Sequence, residues 1–207
     1  YSAESTVIAY GYREGEVELL ESKSRGESPD FGSRPILREL ELKPGRFLLY
    51  VSRLEPENNA HVVIEAYNRL PDALKLMPLV IVGDAPYAKD YIAGLHRAAG
   101  GGIIFAGFRF GQAYVDLQQT AYAYIQATEV GGTHPALVEA MGFANAVIAN
   151  RTPENEEVLG DAGVYYEKNS AESLCAALEG LLQSEDVARR LRKSARARAC
   201  ALYNWEK

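Results

Sequence analysis

Short apolar runs alternate with segments of helical spacing along most of this chain, and that alternation limits what it can fold into. The runs occupy residues 47–51, 79–82, 103–105, 121–127, 146–149 and 163–166. The first, Phe-Leu-Leu-Tyr-Val, is apolar throughout, as a strand covered on both faces must be. Between the first two runs, Ala60, Val63, Ile64, Tyr67 and Leu70 return at helical spacing. Further helices are expected over about 88–99, 112–120, 170–182 and 186–202. Thr152 is expected to cap another, with Glu154 and Glu156 in its first turn. Strand–helix alternation through six strands implies an α/β class. The sheet is then parallel and doubly wound in the Rossmann-like manner, with about six strands. Upstream, 6–10 reads as a short strand, 26–32 as a mobile loop, and 36–42 as a short helix or a strand-like approach.

The 207 residues hold one such domain comfortably, or two small ones. A net charge of −6, without a dense basic tract in the first 180 residues, argues against a nucleic-acid partner. Arg189, Arg190, Arg192, Lys193, Arg196 and Arg198 cluster on the last helix. They form either a solvated face or a surface for a partner or membrane. Cys175 and Cys200 fall in helical patterns and read as small apolar residues of a reducing, cytoplasmic compartment. No apolar run approaches the ~18 residues of a membrane span. The chain begins without Met, in mid-pattern, and is expected to be a fragment of a longer protein.

In open α/β sheets ligands bind beyond the carboxyl ends of the strands. Those ends here carry Ser52-Arg53, Gly83-Asp84, Gly107-Phe108, the segment 128–135 and Asn150-Arg151. In that segment the adjacent Gly131 and Gly132 permit close backbone approach, and Pro135 suits a first helical position. The N–H groups of Gly131, Gly132 and Thr133, with the positive end of the following helix, then form a seat for a phosphate. His134 lies in the same turn and is assigned to the ligand. Glu139 is one turn further on. Helical side chains lean toward the N-terminus, so its carboxylate reaches what lies over that end. Phosphate on backbone amides and hydroxyls on a carboxylate make a nucleotide-sugar pattern; the alternative is a plain turn with a satisfied glutamate. Arg53 offers a forked cation to a diphosphate, or else pairs with Glu55 or Glu57. Gly83 meets the ligand or merely ends a strand. Gly107 and Phe108 wall a base or simply pack.

Absences narrow the field. No Gly-x-Gly-x-x-Gly follows the first strand, and neither a P-loop nor a Gly-x-Ser-x-Gly elbow occurs. The three histidines, His61, His96 and His134, are scattered without metal-ligand spacing, so no metal is expected.

Three segments taken together resemble the donor-binding half of a family 4 (group 1) glycosyltransferase of the GT-B fold: 52–59, 130–141 and 155–163. The subgroup most similar is the bacterial rhamnosyltransferase-like enzymes of polysaccharide assembly. The resemblance implies retaining transfer from a nucleotide-diphosphate sugar to a glycan or lipid-linked acceptor, with no further cofactor. Residues 1–45 would be interdomain linker and lead-in, and 46–207 the nucleotide-sugar domain, the N-terminal acceptor half lying outside the chain. Arg53 matches the family's diphosphate-binding arginine and is assigned a catalytic part. Asn58 stands where a lysine usually follows. Glu139 matches the ribose-binding second acid of the Glu-x7-Glu motif. The first acid falls on Gly131, and Glu129, two residues earlier, either substitutes for it or leaves the donor sugar to Gly132 and Thr133. The fragment alone is expected to bind nucleotide and turn over poorly, and the full-length enzyme to associate peripherally with a membrane. Two rivals remain: a nucleotide-sugar epimerase half, and a non-catalytic nucleotide-binding or interaction domain.

Overall fold

The computed structural model describes residues 34–131 and 134–203. The expected strand at 6–10, the loop at 26–32, and the pair Gly132 and Thr133 lie outside them. In chain order the elements are α1 (Pro35–Glu39), β1 (Leu48–Val51), α2 (Ala60–Arg69), β2 (Leu79–Val82), α3 (Lys89–Ala98), β3 (Ile103–Gly107) and α4 (Gly111–Thr120). Then come β4 (Ala123–Gln126), α5 (Pro135–Gly142), β5 (Ala146–Asn150), α6 (Pro153–Leu159), β6 (Val164–Tyr166), α7 (Ala171–Leu182) and α8 (Glu185–Leu202). The six strands form one parallel sheet in the order β3-β2-β1-β4-β5-β6.

Alternate strand residues face opposite layers, which is why these runs need apolar residues at every position. Leu48, Tyr50, Leu79, Ile81, Ile125 and Ile148 point to the side covered by α2, α3 and α7. Phe47, Leu49, Val80, Tyr124 and Val147 point to the side of α1, α4, α5 and α6. Helix α8 serves both layers: Ala188 and Leu191 join the first, Ala195 and Ala199 the second. It passes along the amino edge of the sheet, where the Arg192 guanidinium lies 4.6 Å from the Tyr122 ring centroid and donates to the Tyr122 carbonyl at 2.9 Å.

Local chemistry sets the element ends. The hydroxyls of Thr152, Ser170 and Ser184 accept the N–H of Asn155, Ser173 and Val187, capping α6, α7 and α8 at about 1 kcal/mol each. The stretch 36–42 resolves as α1, which is tied to α4 by a buried ion pair, Arg34 Nη1 to Asp116 Oδ1 at 2.8 Å. The fourth strand begins at Ala123 rather than at 121, and the third runs on to Gly107. Of the basic cluster, Arg192 and Arg198 serve packing. The Arg198 guanidinium donates to the carbonyls of Val158 and Glu157 at the end of α6. Cys175 is buried, Cys200 partly so, and neither forms a disulfide.

Candidate functional site

The sheet order reverses direction between β1 and β4, which lie side by side. The chain leaves β1 toward one face and β4 toward the other, so a crevice opens beyond their carboxyl ends. Arg53 stands on the β1 side of it and the Gly131 turn on the β4 side. The two loops touch: the Glu129 N–H donates to the Glu57 carbonyl at 2.9 Å.

Arg53 is exposed, and its Nη2 lies 3.4 Å from Glu55 Oε2. The ion pair weighed from sequence therefore exists, at a loose 3.4 Å, between an exposed guanidinium and a carboxylate that is largely buried. Glu55 is also held by the phenol of Tyr87, which donates to Oε1. Asn58 is turned inward. Its Nδ2 donates to the Arg53 carbonyl at 2.8 Å, and its own carbonyl accepts from the Tyr50 hydroxyl at 2.6 Å. Its side chain thus fixes the loop that carries Arg53.

Gly83 has a structural cause for being glycine. Its φ is +136°, and a Cβ built there would lie 1.8 Å from the Ser52 carbonyl oxygen. The backbone leaving β2 presses against the backbone leaving β1 at the residue before Arg53. Gly107, at the end of β3, accepts the Gly83 N–H at 2.9 Å. Beyond it the rings of Phe108 and Phe110 stack at 5.8 Å, both exposed on the rim.

In the turn after β4, Gly131 has φ +144°, and a Cβ there would meet the His134 ring at 2.8 Å. The imidazole folds back over the glycine. His134 occupies the position before α5, where its carbonyl accepts the N–H of Leu137 and Val138, while its side chain caps nothing. Burial lowers its pKa, against the opposing pull of Glu154, so the ring is neutral at pH 7. Glu139, half-buried one turn into α5, accepts a hydrogen bond from the Tyr114 hydroxyl on α4 at 2.5 Å. Burial, followed by the Glu139 charge, pushes that phenol far above its ordinary range, so it remains a donor.

Glu129 is oriented by two donors. Lys168 Nζ lies 2.9 Å from Oε1, and Asn169 Nδ2 donates to Oε2 at 2.7 Å. The hydrogen bond from Lys168, then that from Asn169, lowers its pKa. Asn169 belongs to a knot of asparagines that ties the strand ends together. Asn59 and Asn150 both donate to the Ala127 carbonyl and to Asn169 Oδ1, and the Asn169 N–H returns to Asn150 Oδ1. Reading by sequence named Arg53, Glu129 and Glu139 but not Tyr114, Lys168, Asn59 or Asn169, which the structure places against them or their loops. Two of these adopt a backbone conformation that suits their residue type. Asn59 and Asn169 take φ of +59° and +57°, a region asparagine tolerates, next to strand ends.

At the opposite, amino edge of the sheet lies a cleft of 1450 Å³, lined among others by Arg46, Arg189, Arg192, Lys193 and Arg196. No acidic partner of Arg46, Lys193 or Arg196 occurs among the described residues. Among those residues there is also no His/Cys/Asp/Glu group able to hold a metal ion, and no helix long and apolar enough to cross a membrane.

Residues 35–198 match the family described as glycosyl transferases group 1. The O-antigen chain mannosyltransferase B of Escherichia coli is 25% identical over 178 residues, which are 83% of this chain and 46% of that protein. The chain thus spans about half the length of this relative. Among solved structures, Anabaena HepE in complex with UDP and glucose superposes with a TM-score of 0.78 at 17% identity, covering 94% of this chain and 52% of that one. The C-terminal domain of a group 1 glycosyl transferase (LpcC) from Francisella tularensis superposes with a TM-score of 0.75 at 18% identity, covering 94% of this chain and 100% of that one. These likenesses agree with the Rossmann-like sheet of one half of a GT-B fold.

Proposed function

The chain belongs to the group 1 glycosyltransferase family, and on that footing we propose that it is the donor-binding half of a retaining enzyme. In this reading it holds a nucleotide-diphosphate sugar for transfer to a glycan or lipid-linked acceptor. The observation that carries it is the convergence at the β1/β4 crevice. Arg53 lies in the loop after β1, and the loop after β4 leads into the uncapped start of α5 with Glu139 one turn in; the two loops are hydrogen-bonded to each other.

The diphosphate sits between Arg53 and the turn at Gly131. The N–H groups at the start of α5 serve it, with His134 beside it. Glu139 accepts from the ribose hydroxyls, and the base lies toward Gly107 and Phe108. As the anomeric C–O bond breaks, negative charge grows on the leaving phosphate oxygen and positive charge on the sugar ring. Arg53 and the fixed amide dipoles stabilise the first, an effect often the largest in such sites. The carboxylate of Glu129, held by Lys168 and Asn169, accepts from the sugar hydroxyls and takes the part of the motif's first acid. The donor is a substrate, and this reading assigns no further cofactor. Uridine diphosphate is the first nucleotide to try, since it occupies the Anabaena relative. The mannosyl transfer named for the E. coli relative makes a hexosyl donor the first sugar.

The test is calorimetric titration of this chain with UDP, GDP, ADP and dTDP. One of them should bind, and Arg53→Ala and Glu139→Ala should each weaken it roughly 10- to 150-fold, the range for a lost charge-assisted hydrogen bond. Binding by none would refute the reading and favour an interaction domain. Peripheral association of a longer enzyme with an anionic bilayer belongs to the same reading, supported by Arg46, Lys193 and Arg196 at the amino-edge cleft, which have no acidic partner among the described residues. Sedimentation with phosphatidylglycerol vesicles that is unchanged by Lys193→Glu and Arg196→Glu would remove that part.

A further inference from the structure

We infer that Tyr114 is a positioning residue for the nucleotide ribose, acting through Glu139. The inference rests on the donor-binding reading above.

Its basis is a one-way chain of hydrogen bonds that runs through buried side chains and ends on that carboxylate. Asn145 Nδ2 donates to the Gln118 carbonyl at 2.8 Å and lies 3.5 Å from Gln118 Oε1. Gln118 Nε2 donates to the Tyr114 oxygen at 2.9 Å, and the Tyr114 hydroxyl donates to Glu139 Oε2 at 2.5 Å. Asn145 and Gln118 are buried, so each must satisfy its amide internally, and this order of donors does so. Tyr114 and Gln118 are four residues apart on one face of α4, which packs beside α5. The glutamine is itself pinned by Asn145 from beyond the end of α5.

The direction of the chain has a consequence for binding. Because Gln118 gives its proton to the phenol oxygen, the phenol proton is free to go only to Glu139. Oε2 is therefore kept as an acceptor, and the carboxylate cannot turn away toward solvent without leaving the proton of the half-buried phenol unpaired. A carboxylate has about four acceptor directions, so it serves Tyr114 and ribose hydroxyls together. Hydroxyls are donors to it, and an acceptor fixed beforehand saves the ligand the cost of ordering a free glutamate, worth about 0.5–1.5 kcal/mol.

The experiment compares UDP with 2′,3′-dideoxy-UDP, and GDP with its dideoxy counterpart, by calorimetry on the parent, Tyr114→Phe and Gln118→Leu. Phenylalanine keeps the ring and its packing and removes only the donor. Tyr114→Phe should weaken the ribonucleotide about 2- to 13-fold, which is that ordering cost as a ratio. The dideoxy nucleotide should be almost unaffected, so the ratio of the two affinities shrinks. Gln118→Leu should shift the ratio the same way, by less. In a Glu139→Ala background, Tyr114→Phe should change nothing. A purely structural tyrosine would instead weaken both ligands equally, and would do so with or without Glu139; either result overturns the inference. If the parent binds none of UDP, GDP, ADP and dTDP, the donor-binding reading falls and this one with it; if it binds ADP alone, the same comparison is made with ADP and its dideoxy counterpart. If the parent prefers the ribonucleotide and Tyr114→Phe leaves that preference intact, only the role of Tyr114 falls.

Discussion

Gly83→Ala tests whether the close contact between the ends of β1 and β2 holds Arg53 in place. The new Cβ would start 1.8 Å from the Ser52 oxygen and must reach at least 3.0 Å, a movement of 1.2 Å (3.0 − 1.8). The obstacle is backbone, held by the Ser52 N–H on Val82 O at 3.0 Å and the Leu54 N–H on Asp84 O at 3.3 Å. The mobile partner is no freer, since the Gly83 N–H is on Gly107 O. A non-glycine residue at φ +136° costs about 1–3 kcal/mol, and losing one or two of those bonds costs about 1 kcal/mol each. The expected loss is about 2–5 kcal/mol in urea denaturation. Arg53 follows Ser52 directly, and displacement on the order of 1 Å in a positioning element can cost ~100-fold, so nucleotide affinity should fall by more than tenfold. Gly107→Ala is the control. Its φ is +67° with nothing within 4 Å of the built Cβ, so it should cost only about 1–2 kcal/mol. Equal losses in the two variants, or a Gly83→Ala protein within ~0.5 kcal/mol of the parent, would refute the close-approach argument.

Three further outcomes are expected. Arg34→Ala strips the buried Asp116 of its cation, where both side chains are under a tenth exposed, and should cost about 3–5 kcal/mol in urea denaturation. Adding Asp116→Asn should recover much of that loss. Asn58→Ala removes the bond to the Arg53 carbonyl and should cost about 1–2 kcal/mol, with weaker nucleotide binding by titration even though the side chain faces inward. His61 and His134 have pKa values lowered by burial, so below pH 6.5 the unfolded chain takes up protons before the folded one does. Urea midpoints should therefore hold steady from pH 8 to 7 and fall as pH drops below 6.5, and His61→Gln with His134→Gln should flatten that fall. Glu129, also lowered, adds its own loss only below its ordinary 4.5, so the two windows are separable.

What could be read in the sequence follows from where the information is stored. Strands covered on both faces are apolar at every position, and a capping threonine lies three residues from the N–H it serves, so both are local patterns. Arg53 and Glu139 were legible for the same reason: each follows a strand end or a helix start at a fixed offset. The two glycines were not, because Gly83 and Gly131 look alike until their neighbours are known. One is required by a backbone carbonyl from β1, the other by the ring of His134. The asparagine knot was out of reach because its members lie far apart, Asn59 and Asn169 being separated by 110 residues. Tyr114 carried no local signal, since its partner is on another helix. The displaced acid of the motif illustrates the general point. A glutamate at position 131 would meet the imidazole before its carboxylate reached anything, and it would hold a φ that side chains resist. The fold of the His134 ring over Gly131 is thus incompatible with an acid at that position. Glu129, two residues earlier and already fixed by Lys168 and Asn169, is the carboxylate this packing leaves on the rim.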